Sequence, residues 1–251
     1  MRIFVKTIAI LVLMASANIC ASGQESFQDI FNQANELYTK GDFVGAIKKY
    51  DEILSHEKGS FEVLYNLGNC YFKQNNIGKA VLFYERALKL KPRDSDTKFN
   101  LEFLRSSIIT RKRELSFTDI IINWMLENVT ANEATIALLI FYITFFVLLI
   151  FNLYFNNLTI VWGKIILLTV LLFVFLWWYG VFYRNVKQKY AIITTSSAQV
   201  KSGPGEAFTV GFTVPEGWKV IILKEYSDWL EIGVHAEGLR GWVKTEEVSV
   251  I

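Results

Sequence analysis

The chain has 251 residues, of which 52% are hydrophobic, and its formal charge at neutral pH is +2. A net charge so close to zero excludes the strong basic field on which nucleic-acid binding depends, so we expect no nucleic-acid partner. The mean hydropathy of +0.30 is too high for an ordinary soluble protein and too low for a multi-span transporter, which indicates soluble domains joined to a short membrane section.

Residues 1–23 have the pattern of a secretory signal peptide. Arg2 and Lys6 give the segment a basic start before a short apolar core, Ile8–Met14. Small residues precede Gln24, the expected first residue after cleavage. The apolar core is too short to make a good transmembrane helix. An uncleaved anchor and a lipoprotein remain the alternatives.

A 34-residue period covers the start of the mature chain. Small and aromatic residues recur at this spacing, so that Ala34, Ala46 and Tyr50 are followed by Gly68, Ala80 and Tyr84. The pattern resembles the tetratricopeptide repeat, in which small residues let two helices approach closely and aromatic residues fill the space between neighbouring pairs. Residues 27–60 form the looser copy and residues 61–94 the closer one. We expect a capping helix to complete this domain, which spans residues 27–112.

The resemblance also implies a peptide-binding groove, lined by the first helix of each pair. In the register of the repeat, Asn35, Asn66 and Asn69 fall on that face. Their amides could hydrogen-bond a peptide backbone, so we treat them as peptide-groove candidates. Ordinary solvated positions are the alternative for these three residues.

Residues 116–129 carry apolar side chains at helical spacing with polar residues between them. This pattern predicts an amphipathic helix along a membrane surface with Trp124 at the interface, and an ordinary packing helix is the alternative. Thr130 and Glu133 then have the spacing of a capping box, in which each side chain satisfies a main-chain N–H of the other. A helix should therefore begin at this point.

Two long apolar runs follow, at residues 134–155 and 165–183. The first run lies between Glu133 and Lys164, and no charged residue separates these two. At a rise of about 1.5 Å per residue the runs would be roughly 33 Å and 28 Å long, against about 30 Å for the apolar core of a bilayer. We predict a transmembrane hairpin of two antiparallel helices, and a buried hairpin of a soluble protein is the alternative.

Two signals disagree on the orientation of this hairpin. The signal peptide predicts that both polar parts of the chain lie outside the cytoplasmic membrane of a bacterium. The positive-inside rule predicts the opposite, because basic residues crowd the outer flanks of the hairpin at Arg111, Lys112, Arg113, Arg184, Lys187 and Lys189. We follow the signal peptide, since long domains are translocated largely regardless of their charge.

Residues 190–251 change to short alternating segments separated by turn residues. Predicted strands lie at Ala191–Thr194, Ala198–Lys201, Lys219–Lys224, Trp229–Val234, Gly241–Lys244 and Glu247–Ile251. The turn at Ser202-Gly203-Pro204-Gly205 and the motifs around Trp229 and Trp242 resemble the bacterial Src-homology-3-like domain. The resemblance implies a small all-β barrel that binds wall peptides or proteins. Trp229 and Trp242 are barrel-groove candidates, with burial in the core as the alternative.

The sequence carries no recognisable motif for catalysis. His56 and His235 have no partners at metal-ligand or triad spacing, and no phosphate-binding loop is present. Cleavage of the signal peptide would remove Cys20 and leave Cys70, which we predict to be a buried spacer and which then has no partner for an intramolecular disulfide. We therefore expect no catalytic residues, no cofactor, no metal and no enzymatic activity.

The predicted fold class is a multidomain membrane protein with an all-α tetratricopeptide domain, a transmembrane hairpin and an all-β Src-homology-3-like barrel. This order of segments resembles the BatE proteins of the Bacteroides aerotolerance operon. The resemblance implies partners among membrane proteins with von Willebrand type A domains and a MoxR-type ATPase, and a role in envelope or oxidative-stress tolerance. Two functions follow as hypotheses: a non-enzymatic scaffold for protein partners, and a sensor that binds peptidoglycan.

Overall fold

The computed structural model describes residues 27–56, 59–108, 117–154, 158–234 and 238–251. The predicted signal peptide lies outside the described residues. Within those ranges the chain forms eight α-helices followed by seven β-strands. Internal contacts divide the chain after Asn76 into two compact units, which are described separately.

The first unit consists of three helices: α1 (27–39), α2 (Phe43–His56) and α3 (Phe61–Lys73). Gly41 links α1 to α2 with φ at +82°, a left-handed conformation that glycine adopts at little cost. The Ser60 hydroxyl oxygen accepts the Val63 N–H at the start of α3, as expected for an N-cap. The core of this unit combines small and large side chains that are at most 1% exposed: Ala34, Ala46, Tyr50, Ile53, Val63, Leu67 and Cys70.

The second unit begins with the helices α4 (Ile77–Leu90), α5 (Ser95–Ile108) and α6 (Phe117–Glu127). A turn containing Pro92 separates α4 from α5, and Asp94 Oδ1 caps α5 by accepting the Thr97 N–H at 2.8 Å. The packed face of α5 carries Leu101 and Leu104, whereas Phe99 and Phe103 of the same helix are exposed.

Two long apolar helices follow, α7 (Ala131–Tyr154) and α8 (Leu158–Phe182). The predicted capping box is confirmed: the Glu133 N–H donates to Thr130 Oγ1 at 3.1 Å, and the Thr130 N–H donates to Glu133 Oε2 at 3.0 Å. Trp178 Nε1, near the end of α8, donates to Thr135 Oγ1, near the start of α7, so the two helices are antiparallel. By length and composition, two helical segments among the described residues could cross a membrane: Ala131–Ile150 and Ile165–Lys187.

A π-helical turn, Tyr183–Lys187, leads from α8 into an antiparallel sheet. Its strands are β1 (Tyr190–Ile193), β2 (Ser197–Lys201), β3 (Val210–Pro215), β4 (Lys219–Tyr226), β5 (Trp229–Val234), β6 (Leu239–Lys244) and β7 (Val248–Val250). The spatial order is β3-β2-β6-β5-β4-β1-β7. No pairing among the described strands joins β3 to β7, so the sheet is open rather than a closed barrel.

The sheet packs its core on one face, as alternation along the strands requires. The core side chains are Ala191, Ile193, Ala198, Val200, Val214, Val220, Leu230, Ile232, Val234, Val243 and Val248. Strand β3 is absent from the predicted strands. Val210, Phe212 and Val214 do alternate along it, and in the structure Val214 is buried while Phe212 packs against the core from a half-buried position.

Candidate functional site

A neutral polar network joins the three helices of the first unit. The Tyr50 hydroxyl donates to Asn35 Oδ1 at 2.5 Å, and Asn66 Nδ2 donates to the same oxygen at 3.0 Å. Asn66 Nδ2 also lies 3.1 Å from the Tyr50 hydroxyl oxygen, so the three side chains form a closed triangle. Two of the three groove candidates are therefore held in place by one buried tyrosine.

The surroundings of Tyr50 keep this network neutral. Burial raises the pKa of Tyr50 to about 12, and the hydrogen bond from Asn66 offsets part of that rise. The hydroxyl therefore stays protonated, and remains a donor, at physiological pH. Two donors occupy Asn35 Oδ1, so the group that half-buried Asn35 can offer to a ligand is its amide N–H pair.

Asn69 and Cys70 follow on the same helix, α3. Asn69 is half-buried, whereas Cys70 is fully buried. Burial raises the pKa of the Cys70 thiol to about 12, so the reactive thiolate is disfavoured. The prediction that Cys70 is a buried spacer is confirmed.

A buried charged cluster lies in the second unit. Both carboxylate oxygens of Glu85, on α4, are occupied: one by the Arg105 guanidinium from α5 and the other by Lys219 Nζ from β4 at 2.7 Å. Burial alone would raise the pKa of Glu85, but the attraction of Lys219 and Arg105 outweighs it and holds the pKa below its ordinary value. We call these three residues the charged interlock, because they connect two helices to the sheet.

The N-terminal end of α4 also touches the sheet region directly. The Gly78 N–H donates to Glu216 Oε1 at 2.6 Å, next to the turn between β3 and β4. A Cβ at position 78 would lie 2.7 Å from the carbonyl oxygen of Ile193, so glycine permits this close approach. Near the C-terminal end of α4, Arg86 donates to the carbonyl oxygen of Val250. Helix α4 is thus attached to the sheet at both ends.

Sequence reasoning missed the charged interlock. A glutamate in an amphipathic helix ordinarily faces water, and Lys219 is 134 residues away along the chain. The one local signal is the position of Glu85, directly after the buried Tyr84, and it is too weak to predict a buried ion cluster.

The outer face of the sheet carries the second set of candidates. Trp229 and Trp242 are half-buried and alternate along β5 and β6 with core residues, so both lie on the face opposite the core. Lys201 Nζ lies 5.2 Å from the centre of the Trp229 ring, within cation–π distance. Glu206 bridges Lys201 and Lys244 at 2.5 Å and 2.6 Å, and those hydrogen bonds lower the pKa of Glu206 to about 2.

Helices α3 and α4, with the turns at their ends, make up the segment for which a relationship to known proteins is found. Residues 61–94 match the tetratricopeptide repeat. The repeat coincides with the closer of the two predicted copies, which is confirmed, and it indicates protein–protein interaction. No curated protein matches the chain.

Within the described ranges, no group of three or more His, Cys, Asp or Glu side chains is placed to hold a metal ion. His56 ends α2, and His235 lies outside the described residues.

Proposed function

We propose that this protein is a non-enzymatic scaffold, anchored in the bacterial cytoplasmic membrane, that binds partner proteins through extracytoplasmic repeat and sheet domains. The observation that carries the proposal is the tetratricopeptide repeat at residues 61–94, a repeat that serves in protein recognition. By the order of its segments the chain resembles BatE, so the proposed complex is one of envelope or oxidative-stress tolerance. The proposed partners are membrane proteins with von Willebrand type A domains and a MoxR-type ATPase.

The exposure of the hairpin supports membrane anchoring. Of each apolar segment, 6% is buried within the protein, whereas the core helix of a soluble protein would be mostly covered. Large side chains such as Ile136 and Phe173 are more than half exposed. Such a surface needs an apolar surrounding medium, and a lipid bilayer supplies one.

Helix α6 supports placement of the hairpin at a membrane surface. Trp177 Nε1, on α8, donates to the carbonyl oxygen of Met125, which ties α6 to the end of the second apolar helix. On α6, Phe117 and Trp124 are exposed by 75% and 68%. A tryptophan side chain such as that of Trp124 favours the headgroup region of a bilayer.

The extracytoplasmic orientation is tested with protease added to spheroplasts. We expect removal of both polar parts of the chain, and protection of both would reverse the proposed orientation. A cytoplasmic marker protein that stays intact in the same sample is the control for cell integrity.

The scaffold is tested by affinity purification of the full-length protein from crosslinked membranes, with mass spectrometry of the captured proteins. We expect von Willebrand type A membrane proteins, and less of them with Asn66→Ala than with the wild type. Asn32→Ala is the matched control, because Asn32 is an exposed amide of α1 outside the polar network. Equal capture by both variants would remove the groove from the proposal, and absence of such partners from the wild type would contradict the BatE resemblance.

A second candidate function is a peptidoglycan-binding sensor built on a Src-homology-3-like sheet. It is favoured by the half-buried rings of Trp229 and Trp242 on the outer sheet face, where the largely buried Lys201 lies over the Trp229 ring. The full-length protein in detergent would then bind cell-wall sacculi saturably and would lose this binding with Trp229→Ala. Phe99→Ala, which removes an exposed aromatic of α5, should leave it unchanged.

A further inference from the structure

A cavity of about 740 Å³ lies within the second unit. Its walls come from α4, α5, α6, the π-helical turn after α8, strands β1 and β4, and Ile251. Five cationic side chains line it, against the two acidic side chains Glu85 and Glu102. The cations are Lys89, Lys98, Arg105, Arg184 and Lys219.

The cations converge from elements that are far apart in the sequence. Lys89 is on α4, Lys98 and Arg105 are on α5, Arg184 follows α8, and Lys219 is on β4. A charged face exposed to solvent would belong to a single helix, whereas here side chains of the same charge from several elements surround one cavity. Like charges held together repel each other, and an anion in their midst relieves the repulsion.

The lining holds five cationic side chains against two carboxylate side chains, an excess of three, and Lys89 Nζ donates to the main-chain oxygen of Ile251 at 3.0 Å. The carboxylate of Glu85 is shared between Arg105 and Lys219. Lys98 Nζ donates to the neutral amide oxygen of Asn128 at 2.6 Å. Burial lowers the pKa of Lys89, and the positive charges of Lys219 and Arg86 lower it further, as expected in a site that favours negative charge.

The cavity lies next to the end of the apolar hairpin. Arg184 and Asn185 come directly after α8, which ends at Phe182, and Leu126 of α6 contributes an apolar wall. In a bilayer-spanning hairpin this is the depth at which lipid phosphates lie, and basic pockets at that depth bind anionic headgroups. The basic and apolar walls match a phosphate group attached to a glycerol and an acyl chain.

We propose that this cavity binds a phosphate-bearing anion of the glycerol phosphate type, either as the headgroup of an anionic phospholipid or as a soluble ester. The lipid source rests on the proposed membrane anchoring, whereas the phosphate chemistry of the cavity does not. Arg184, which the positive-inside rule would assign to the cytoplasm, would then serve to bind the anion in this cavity.

The test uses the full-length protein in nanodiscs of phosphatidylcholine with increasing phosphatidylglycerol, and native mass spectrometry to count retained lipids. In a second arm the same protein is titrated with glycerol 3-phosphate. Arg184→Gln and Lys98→Gln should each weaken binding by about fivefold, since one basic residue near an anionic surface contributes about that much. Lys187→Gln is the matched control, because Lys187 lies in the same turn as Arg184 but does not line the cavity.

Each outcome decides the proposal. Retention of phosphatidylglycerol that falls in both cavity variants but not with Lys187→Gln supports the headgroup source, and binding of glycerol 3-phosphate alone supports a soluble source. Equal losses with Lys187→Gln would reduce the effect to general surface charge and overturn the proposal, as would absence of binding in both arms. Release of the protein from membranes by alkaline carbonate would contradict the anchoring while the soluble arm still tests the cavity. Exposed Lys98 covers the case in which Arg184→Gln disturbs folding.

Discussion

Helices α3 and α4, the two helices of the matched repeat, stabilise polar groups in different ways. On α3, Asn66 joins a neutral triangle with Asn35 and Tyr50, and both asparagines are half-buried. On α4, Glu85 is 7% exposed and carries a full charge between Arg105 and Lys219. The same repeat therefore contributes a neutral network near the surface and a charged interlock in the interior.

The two kinds of polar group fit two different roles: the neutral network suits recognition of a ligand, and the charged interlock attaches α4 to its neighbours. Opening a neutral amide network costs little free energy, and its N–H groups can donate hydrogen bonds to a peptide. A buried ion cluster costs several kcal/mol when one partner is lost, so it holds α4, α5 and β4 in one arrangement. The second half of the repeat thus belongs to the same compact unit as the sheet.

The largest expected effect comes from breaking the charged interlock. Glu85→Ala leaves Arg105 and Lys219 facing each other without their shared carboxylate, and we expect the second unit to lose about 3 kcal/mol of unfolding free energy. Urea unfolding in mild detergent, followed by tryptophan fluorescence, measures this, because all seven tryptophans lie in that unit. Glu225→Ala, which removes an exposed pair with Lys189 in the same unit, is the control and should have no measurable effect. Similar losses in both variants would contradict the interlock.

The attachment at the start of α4 should be nearly as sensitive. Gly78→Ala places a Cβ 2.7 Å from the carbonyl oxygen of Ile193, which is main chain and cannot move aside. We expect a loss of about 2 kcal/mol in the same assay. Gly163→Ala is the matched helical control, since a Cβ there meets no atom within 4 Å. Full stability of Gly78→Ala would show that α4 does not approach the sheet this closely.

The neutral network should be less costly to break. Tyr50→Phe removes the hydroxyl that donates to Asn35 and leaves the ring packing in place, so we expect the first unit to lose about 1 kcal/mol. Hydrogen exchange of the α1–α3 amides, read by mass spectrometry, reports this unit, which contains no tryptophan. Tyr38→Phe is the control, because Tyr38 contacts Phe43 through its ring. A loss as large as that from Glu85→Ala would erase the distinction between the two kinds of polar group.

Local patterns account for what the sequence predicts correctly. The repeat at residues 61–94 follows from small and aromatic residues at a fixed period, the capping box from Thr130 and Glu133, and the two long helices from uninterrupted apolar runs. Features that depend on distant contacts are missed. The charged interlock pairs residues 134 positions apart. The open edge of the sheet depends on which strands pair, and alternation within a strand does not specify that.

The smallest expected effect is a dependence on pH that the interlock confers and the neutral network does not. The cations hold the pKa of Glu85 below its ordinary value of 4.5, so its charge stabilises the fold above pH 4.5. This contribution is lost as the pH falls through the folded-state pKa, because the unfolded chain binds the proton first. Relative to Glu85→Gln, the wild type should lose at most about 0.8 kcal/mol between pH 6 and pH 4, as measured by urea unfolding at each pH. Parallel curves for the two proteins over this range would mean that Glu85 titrates normally, and that the cluster is too hydrated to act as an interlock.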